Sequence, residues 1–422
     1  MTNHTAPVGD RPDDDELPLA GVRVIDFSRL LPGPWTTQML ADLGADVIKV
    51  EQPGTGDYGR FNPPNYASLG VYFNSVNRNK RSVALNLATP SGRAAADALL
   101  KTGDIVVESF RPGVTERLGI DYARVSEYNP GVIYCSVTGF GQHGTMAGLP
   151  AHDMAIQAMS GAMGAGVGPG ELPGMPVFQA GDYAPAGYAI SGILGAWIKR
   201  LKSGRGCHLD IAMYDAMVVW SNIALAGALA RLAGFDGKPE LEVWGNNPRY
   251  CTYPTRDGKA VGVCLLEHRT WRVFCDLIAR PDLYDDAEHY GDRHTDHGAR
   301  QTLYRDAIAT LCASEDRDCL VARMMAAGVP ICPVYTPDEA VRSAEVGERE
   351  LIEWVSHPTE GRIPQLINPL TKAGLTAPHR HCAPALGAST TQVLRELGLG
   401  EAAIAEALAE LDEGTTDADR ST

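Results

Sequence analysis

Asp182 is the residue whose type and setting best suit covalent or acid-base chemistry. It follows Gly181 and precedes a glycine-containing run with helical spacing, Tyr188 to Arg200. A carboxylate near a helix start in apolar surroundings can act as nucleophile or as base, because burial raises its pKa while the helix dipole lowers it. The same position also suits a helix N-cap. The local sequence leaves both interpretations open.

A histidine next to an acid is the second candidate. His152-Asp153 lies thirty positions before Asp182. A histidine and a separate carboxylate can carry protons on opposite faces of the carbon beside a thioester, which is the chemistry of racemisation. A single histidine more often satisfies a structural hydrogen bond, so that alternative stays open. His289, His294 and His297 lie in a polar, loop-like segment, and no metal site is expected there.

Three short segments combine basic or amide side chains with glycine or turn residues. They are NRNKRS at 77–82, ESFRPG at 108–113 and KSGRG at 202–206. The formal charge of the chain is −15, so a phosphorylated ligand would need local positive charge of this kind. Each segment alone could equally be a solvated surface loop. The acidic balance argues against nonspecific nucleic-acid binding, which needs a basic surface.

The elements that must position these residues alternate between strand and helix. Helical patterns, clearest at 91–101, separate buried strand patterns at 22–27, 46–50, 82–87, 105–107 and 132–137. This order predicts a parallel sheet covered by helices. Small apolar residues dominate from Met154 to Ala230, which favours closely packed helices. Arg256-Asp257-Gly258 predicts a hairpin turn near the start of a smaller domain.

Composition narrows the class of protein. The 422 residues are 44% hydrophobic and 21% charged, which allows a large core and two or three domains. No apolar window approaches the ~18 residues of a membrane span, and the polar, acidic start does not resemble a signal peptide. The nine cysteines include no CxxC pair. We therefore expect a cytoplasmic enzyme with reduced thiols and no membrane or nucleic-acid partner.

Several motifs together resemble one known family. LLPGP at 30–34 and MLADLGADVIKVE at 39–51 are similar to the opening of the family III CoA-transferases, also called the CaiB/BaiF family. Further blocks follow in the family's order, at 79–82, 108–113, 137–141, 181–182, 203–206 and 384–387. The resemblance extends from about Leu19 to Leu399, which is nearly the whole chain.

This resemblance implies an α/β fold in two domains. Residues 18–235 and 340–412 would form a large, Rossmann-like, coenzyme A (CoA)-binding domain around a parallel sheet, and 236–339 a smaller inserted α+β domain. The family also implies an interlocked homodimer. The acidic residues 1–17 and the segment 413–422 have too little apolar surface to order themselves, so both are expected to be disordered tails.

The resemblance further implies transfer of CoA from an acyl-CoA donor to a small carboxylic acid, with CoA as substrate and no tightly bound cofactor. Asp182 would attack the acyl thioester, form an anhydride, and then carry CoA as an aspartyl thioester. Asn79, Lys80, Arg81 and Arg111 match motifs that lie near the coenzyme. Two departures affect expected roles: Leu31 stands where some transferases carry a catalytic glutamine, and Gln52 where an arginine commonly meets CoA.

The same family contains 2-methylacyl-CoA racemases, which remain the alternative. In that case His152 and Asp182 would be the opposed proton carriers, and Glu267 is the nearest counterpart of a racemase glutamate. The stretches 73–82, 47–57 and 157–161 are closer to transferase usage. We therefore expect a CoA-transferase.

Overall fold

A computed structural model describes residues 16–167, 170–237, 245–376 and 380–413. The strands of this part are β1 (Arg23–Asp26), β2 (Asp46–Glu51), β3 (Lys80–Ala84), β4 (Ile105–Glu108), β5 (Ile133–Thr138), β6 (Cys207–Ala212), β7 (Tyr250–Pro254), β8 (Ala260–Cys264), β9 (Ile331–Pro333), β10 (Ile352–His357) and β11 (Gly361–Leu366).

Its α-helices are α1 (Pro32–Asp42), α2 (Val71–Val76), α3 (Pro90–Thr102), α4 (Val114–Leu118), α5 (Tyr122–Tyr128), α6 (Asp153–Met159), α7 (Ala180–Ser203), α8 (Met213–Trp220), α9 (Ala226–Leu232), α10 (His268–Leu277), α11 (Gln301–Ser314), α12 (Arg317–Ala326), α13 (Pro337–Val341), α14 (Ala344–Glu348), α15 (Thr390–Glu396) and α16 (Glu401–Glu413). Short 3₁₀ helices lie at Tyr58–Phe61, Pro281–Leu283, Tyr290–His294, Gly298–Arg300 and Pro369–Ala373.

A parallel sheet with the strand order β3-β2-β1-β4-β5-β6 confirms the predicted α/β class. Ile25 in the central strand β1 lies opposite Ile48 of β2 and Val106 of β4. The strand order reverses between β1 and β4, as it does in Rossmann folds. In such sheets the crevice at the carboxyl ends of the two diverging strands is where ligands bind.

Both faces of this sheet are buried, which explains its continuous apolar strands. One face, with Ile25, Ile48 and Val106, packs against helices that include α3, α5 and α16. The opposite face, with Val24 and Val47, packs against α1 and α7. Burial of each such side chain contributes about 1.5–3 kcal/mol.

Local sequence signals mark the ends of the helices that cover the sheet. Pro32 stands in the first turn of α1, where its missing N–H needs no partner. Thr89 caps α3, since its hydroxyl accepts the N–H of Gly92 at 3.2 Å. Gly44 ends the turn after α1 with a φ of 105°, a value that other residues rarely adopt.

The contacts divide the chain into two units. The first comprises 1–160, 176–220 and 345–422, and it contains the parallel sheet. The second comprises 161–175 and 221–344. It holds the antiparallel sheet β7-β8-β9, whose β7–β8 hairpin turns at Gly258 with a φ of 75°, as predicted. The limits expected for the small domain, 236 and 339, both fall inside the second unit.

The chain ends differ from expectation at both boundaries, since Glu413, assigned to the second tail, is the last residue of α16. Leu17, assigned to the disordered tail, is buried, and its carbonyl accepts the N–H of Ala20 at 3.0 Å. That assignment was wrong because the side chain packs on Gly44, where an added Cβ would lie 2.5 Å from Leu17 Cβ. Residues 1–15 and 414–422 lie outside the described residues. Within the described ranges no helix is long and apolar enough to cross a membrane, and all nine cysteines have free thiols.

Candidate active site

Asp182 lies in the first turn of α7, the long helix that packs on the central strands. The helix begins at Ala180, earlier than the sequence suggested, because Pro185 is accommodated inside it. Proline removes a backbone donor, so its presence made a later start the natural prediction. The carboxylate of Asp182 is partly buried, and it has no hydrogen bond or ion pair within the described residues.

Asp153, at the start of α6, positions the segment before Asp182. Its Oδ1 accepts the N–H of Gly181 at 2.8 Å, and its Oδ2 accepts Nε2 of Gln157 at 2.8 Å. Gln157 also donates to the carbonyl of Phe178 at 2.9 Å. An added Cβ at Gly181 would lie 3.0 Å from both Asp153 O and Oδ1. Glycine is therefore required for this close approach, which places two acidic side chains side by side.

This arrangement changes the ionisation of Asp182. Burial, and then the negative charge of Asp153, raise the pKa of the Asp182 carboxyl to about 7. Asp182 also lies at the positive end of the α7 dipole, which acts in the opposite sense. A carboxylate that is less stabilised by solvent and partners is also a stronger nucleophile and base at neutral pH.

Replacing Asp153 with asparagine should move the pH dependence of turnover to lower pH. The amide oxygen of the variant can still accept the Gly181 N–H, but the charge that raises the Asp182 pKa is gone. If the ionised carboxylate is the reactive form, kcat/KM should rise with pH and reach half its maximum near pH 7 in the wild type, and at lower pH in Asp153→Asn. Steady-state kinetics across pH 5–9 measure the midpoint.

The matched control for this experiment is Asp121→Asn. Asp121 also caps a helix, since its Oδ1 accepts the N–H of Arg124 at 3.0 Å, but it is not among the charges that act on Asp182. Its replacement should leave the midpoint unchanged. An unchanged midpoint in Asp153→Asn would contradict the electrostatic role of Asp153.

Aromatic side chains surround the Asp182 turn. The Tyr183 ring stacks on Phe178 at 5.4 Å and meets the edge of Trp35, in α1, at 5.3 Å. Tyr72 in α2 is close enough to interact with Asp182. Burial, and then the charge of Asp182, raise the pKa of the Tyr72 phenol. Such side chains exclude water and offer an apolar wall to an acyl group.

The segments Phe27–Leu31 and 109–113 follow β1 and β4 at their carboxyl ends, where the strand order reverses and a ligand crevice is expected. Ser109 Oγ accepts the N–H of Arg29 at 3.0 Å, which ties the two segments together. The Arg29 guanidinium lies over the rings of Phe110, at 5.2 Å, and Tyr58, at 5.3 Å. This crevice therefore combines positive charge with aromatic faces, as an adenine nucleotide requires.

A buried ion pair supports the β1–α1 segment in this crevice. Leu30 has a φ of 64°, a strained conformation for a residue other than glycine. Asp57 Oδ1 accepts the Leu30 N–H at 3.0 Å, and Asp57 Oδ2 lies 2.9 Å from Lys49 Nζ. Lys49 also donates to the carbonyl of Ser28 at 2.8 Å. The pair thus holds the conformation of the segment that joins the crevice to α1, and α1 packs against α7.

Comparison with known proteins agrees with this geometry. The model of CoA-transferase family III matches residues 19–390. The chain belongs to CoA-transferase family III. It is accordingly an enzyme, a CoA-transferase, that acts on CoA thioesters.

Relatives of known activity and solved structures align with almost the whole chain. It is 32% identical to the succinate–glutarate CoA-transferase of Agrobacterium fabrum, over 90% of this chain and 96% of that protein. It is 31% identical to the acetyl-CoA:oxalate CoA-transferase of Acetobacter aceti, over 91% and 97%. A crystal structure of a CaiB/BaiF family protein from Brucella suis superimposes with a TM-score of 0.75 at 28% identity, over 90% and 99%.

Three residues that the resemblance led us to expect near the coenzyme have partners within the chain. Lys80 Nζ is buried and donates to Asp26 Oδ2, Pro34 O and Asn77 Oδ1. Asn79 donates to Asp42 and accepts the backbone N–H groups of Arg380 and His381, and Arg81 pairs with Asp46 and Glu396. Arg111, in contrast, is exposed at the crevice. The geometry therefore gives the first three a supporting position, while Arg111 is accessible to ligand.

The residues of the racemase alternative lie in different surroundings. His152 is exposed at the N-cap of α6, next to Asp153. Glu267 is exposed in the second unit, where it pairs with Arg293 at 3.1 Å. In the described ranges, no group of three His, Cys, Asp or Glu side chains is placed to hold a metal ion.

The first N–H groups of α7 are all used within the chain. Ala180 donates to Phe178 O, Gly181 to Asp153 Oδ1, and both Asp182 and Tyr183 donate to Gln179 O. They are thus not available as an oxyanion hole for a thioester bound at Asp182. Any donor to the developing oxyanion must come from another segment.

The sequence predicted no individual role for Arg29, Asp57 or Glu108, although Glu108 opens the ESFRPG segment and Asp57 ends the stretch 47–57. A signal for Arg29 was present, since it follows directly after a predicted strand at the edge where ligands bind in such sheets. No local signal identifies Asp57, because its partners Lys49 and Leu30 come from other segments.

Proposed function

We propose that this enzyme transfers CoA between a small acyl-CoA and a carboxylic acid through an aspartyl-CoA thioester on Asp182. The observation that carries the proposal is the Asp182 carboxylate itself, partly buried, free of cationic partners in the described residues, and raised in pKa to about 7. A structural carboxylate would normally be paired at such a position. This one is available to react.

The proposed reaction passes through two anhydrides. Asp182 Oδ attacks the thioester carbon and the C–S bond breaks. CoA departs as the thiolate, and an acyl-aspartyl anhydride forms on Asp182. The thiolate then attacks the aspartyl carbon and expels the donor carboxylate, which leaves CoA on Asp182. The acceptor carboxylate attacks that thioester, and the released thiolate attacks the acceptor's acyl carbon, which regenerates Asp182. One carboxylate enters for each one that leaves, so no net proton is required.

Neighbouring side chains support this sequence in distinct ways. The negative charge of Asp153 destabilises the Asp182 anion, which favours attack of that carboxylate on the thioester. The rings of Phe178, Tyr183 and Trp35 shield the anhydrides, since water would hydrolyse both intermediates. Arg29 and the exposed Arg111 would meet the phosphates of CoA at the β1/β4 crevice.

Small dicarboxylic acids are the substrates to test first. Relatives of this chain are named for succinate and glutarate, for oxalate, and for mesaconate. Their names do not identify the acids used by this enzyme, but they support a short acceptor with a second carboxylate. Succinyl-CoA is accordingly the first donor to use.

Mass spectrometry of the protein incubated with succinyl-CoA tests the covalent route. We expect CoA on the peptide that contains Asp182, and we expect hydroxylamine to remove it. Omitting the thioester is the blank. CoA attached to another peptide, or transfer activity without any adduct under rapid quenching, would contradict the assignment of Asp182 as nucleophile.

A racemase would give a different result in the same incubation. His152, exposed beside Asp153, is the observation that favours this alternative. A racemase would form no adduct, and deuterium from solvent would enter the α-position of a 2-methylacyl-CoA. Solvent exchange of this kind, lost in both His152→Ala and Asp182→Asn, would replace the transferase proposal by proton transfer between these two residues.

We also propose that the protein is a homodimer. In the first unit, α7 and α8 expose Ile198, Leu201, Val219 and Trp220, among which Leu201 is 70% exposed. Large apolar side chains exposed on two neighbouring helices suit a surface that meets another protein. A second copy of the chain would cover it.

A further inference from the structure

Glu108 is a buried acid that the proposed reaction does not use. It is the last residue of β4, and it is 1% exposed. Its Oε2 accepts the N–H of Phe110 at 2.8 Å, so the carboxylate closes the turn that leaves the strand. That turn continues through Arg111 to Gly113, the N-cap residue of α4. Glu108 therefore supports the turn from inside the protein.

Ser136 stands between this buried acid and an exposed imidazole. It lies opposite Glu108 in β5, and its hydroxyl lowers the pKa of the Glu108 carboxyl. Ser136 Oγ lies 2.9 Å from Nε2 of His208 in β6. The His208 ring is exposed and stacks on Tyr122 at 5.0 Å. His208 and Ser136 therefore lie between solvent and Glu108.

The groups around Glu108 disfavour its charge. Burial, and more weakly the charges of Glu116 and Asp210, raise its pKa to about 7, although Ser136 and the Phe110 N–H act in the opposite sense. Burial also lowers the pKa of His208, so its imidazole is neutral near pH 7 and can either donate or accept at Nε2. Tyr134, on the same face of the sheet, and Cys135, on the opposite face, are also near Glu108, and burial raises the pKa of both so that both are neutral near pH 7.

The turn held by Glu108 is one wall of the β1/β4 crevice. Ser109 accepts the Arg29 N–H, and the Phe110 ring lies under the Arg29 guanidinium. Movement of the Phe110 backbone would therefore displace both Arg29 and Arg111. These are the two arginines that the proposed function assigns to the phosphates of CoA.

We propose that Glu108 is a positioning residue that couples CoA binding to proton release through Ser136 and His208. The proposal rests on the proposed function for the place of CoA in the crevice. When Glu108 is ionised, Ser136 donates to it and His208 donates to Ser136, and the charged carboxylate holds the Phe110 N–H. When Glu108 is protonated, it donates to Ser136, which donates to His208. Phe110 then has only a neutral acceptor, whose hydrogen bond is about half as strong.

The expected effect is weaker CoA binding at low pH. Loss of part of one hydrogen bond corresponds to a decrease of about three- to tenfold in the affinity for CoA. The test uses the full-length Asp182→Asn protein, which cannot form the adduct and has no Asp182 titration. Calorimetry with free CoA should show the dissociation constant rising as pH falls from 8 to 6.

The decisive variant adds Glu108→Gln to Asp182→Asn. Its affinity for CoA should already be reduced at pH 8, and the difference from the parent should disappear at pH 6. Ionisation of CoA itself affects its binding to both proteins equally. The difference in CoA affinity between the two proteins is therefore caused by Glu108. Equal affinities at pH 8 would overturn the proposal, as would a difference that is the same at every pH, which is the mark of a merely structural role.

Two further variants keep the proposal falsifiable if Glu108→Gln does not fold. Ser136→Ala removes a donor to the ionised form, so the midpoint of the pH dependence should move to higher pH. Glu116→Gln removes an exposed neighbouring charge without touching the turn, and it should keep the pH dependence with a slightly lower midpoint. If Ser136→Ala leaves the midpoint unchanged, the relay is refuted. CoA binding does not require a covalent route, so failure of the adduct experiment would leave this test intact.

Discussion

Replacement of Asp182 by asparagine should reduce CoA transfer by about 10³-fold or more. The amide has nearly the same shape as the acid, so the first turn of α7 and its contacts with Asp153 should persist. It cannot attack a thioester, however, and the covalent route is closed. Initial rates of acyl exchange between succinyl-CoA and a dicarboxylic acid measure the loss.

Asp215→Asn is the matched control for this variant. Asp215 also lies in the first turn of a helix, α8, but its side chain is exposed and outside the crevice. It should leave the transfer rate unchanged. Retention of more than about a tenth of wild-type activity in Asp182→Asn would contradict a nucleophilic role.

The same variant should be more stable than the wild type at pH 8. The folded-state pKa of Asp182, about 7, exceeds its ordinary value of 3.8, so the folded protein binds more protons between these values. Stability therefore falls as pH rises through this window, and asparagine removes that loss. Thermal unfolding should show a higher Tm for Asp182→Asn at pH 8 and nearly equal values at pH 4. A lower Tm at pH 8 would indicate that the ionised carboxylate has a stabilising partner.

Most of the fold follows from patterns that are visible in the sequence. Continuous apolar strands such as Ile105–Val107 predict a parallel sheet, because both of its faces are covered. The start of α7 was harder to predict, since Pro185 is a local signal for an interruption. Packing of α7 on the sheet outweighs that signal, and local sequence carries no information on the packing.

The site was only partly predictable because side-chain direction decides which charges meet ligand. Lys80 and Arg81 are adjacent, so their side chains leave β3 on opposite faces. Lys80 enters the protein and Arg81 pairs at the surface, yet both have the composition expected of phosphate contacts. Partners such as Gly181 and Asp153, or Glu108 and Ser136, lie 28 residues apart in both cases and meet only through helix packing and strand register.

A buried charge network beneath the crevice should make Asp26 the most sensitive position for stability. Asp26 is fully buried at the end of β1, where its Oδ2 lies 3.1 Å from Lys80 Nζ and accepts the Thr37 hydroxyl at 2.6 Å. Burial alone would raise the Asp26 pKa, but the charges of Lys49 and Lys80 hold it well below its ordinary value. The pairing thus stabilises a charge that the interior would otherwise reject.

Asp26→Asn should lower the free energy of unfolding at pH 7 by about 3–5 kcal/mol, the range for breaking a buried ion pair. Lys49 keeps Asp57 as its partner, but Lys80 is left with the neutral acceptors Pro34 O and Asn77 Oδ1. Urea unfolding measures the change. Asp46→Asn, which affects partly exposed pairs with Arg23 and Arg81, should cost at most about 1 kcal/mol.

The pH dependence separates this electrostatic loss from a packing defect. A carboxyl with a depressed folded-state pKa contributes stability above its ordinary value, 3.8, and loses that contribution as pH falls toward the folded-state pKa. The difference between wild type and Asp26→Asn should therefore be constant at neutral pH and shrink below about pH 4. A difference that persists unchanged in acid would mean that Asp26 acts through its hydrogen bonds to Ser28 and Thr37, and that the two lysines tolerate burial without it.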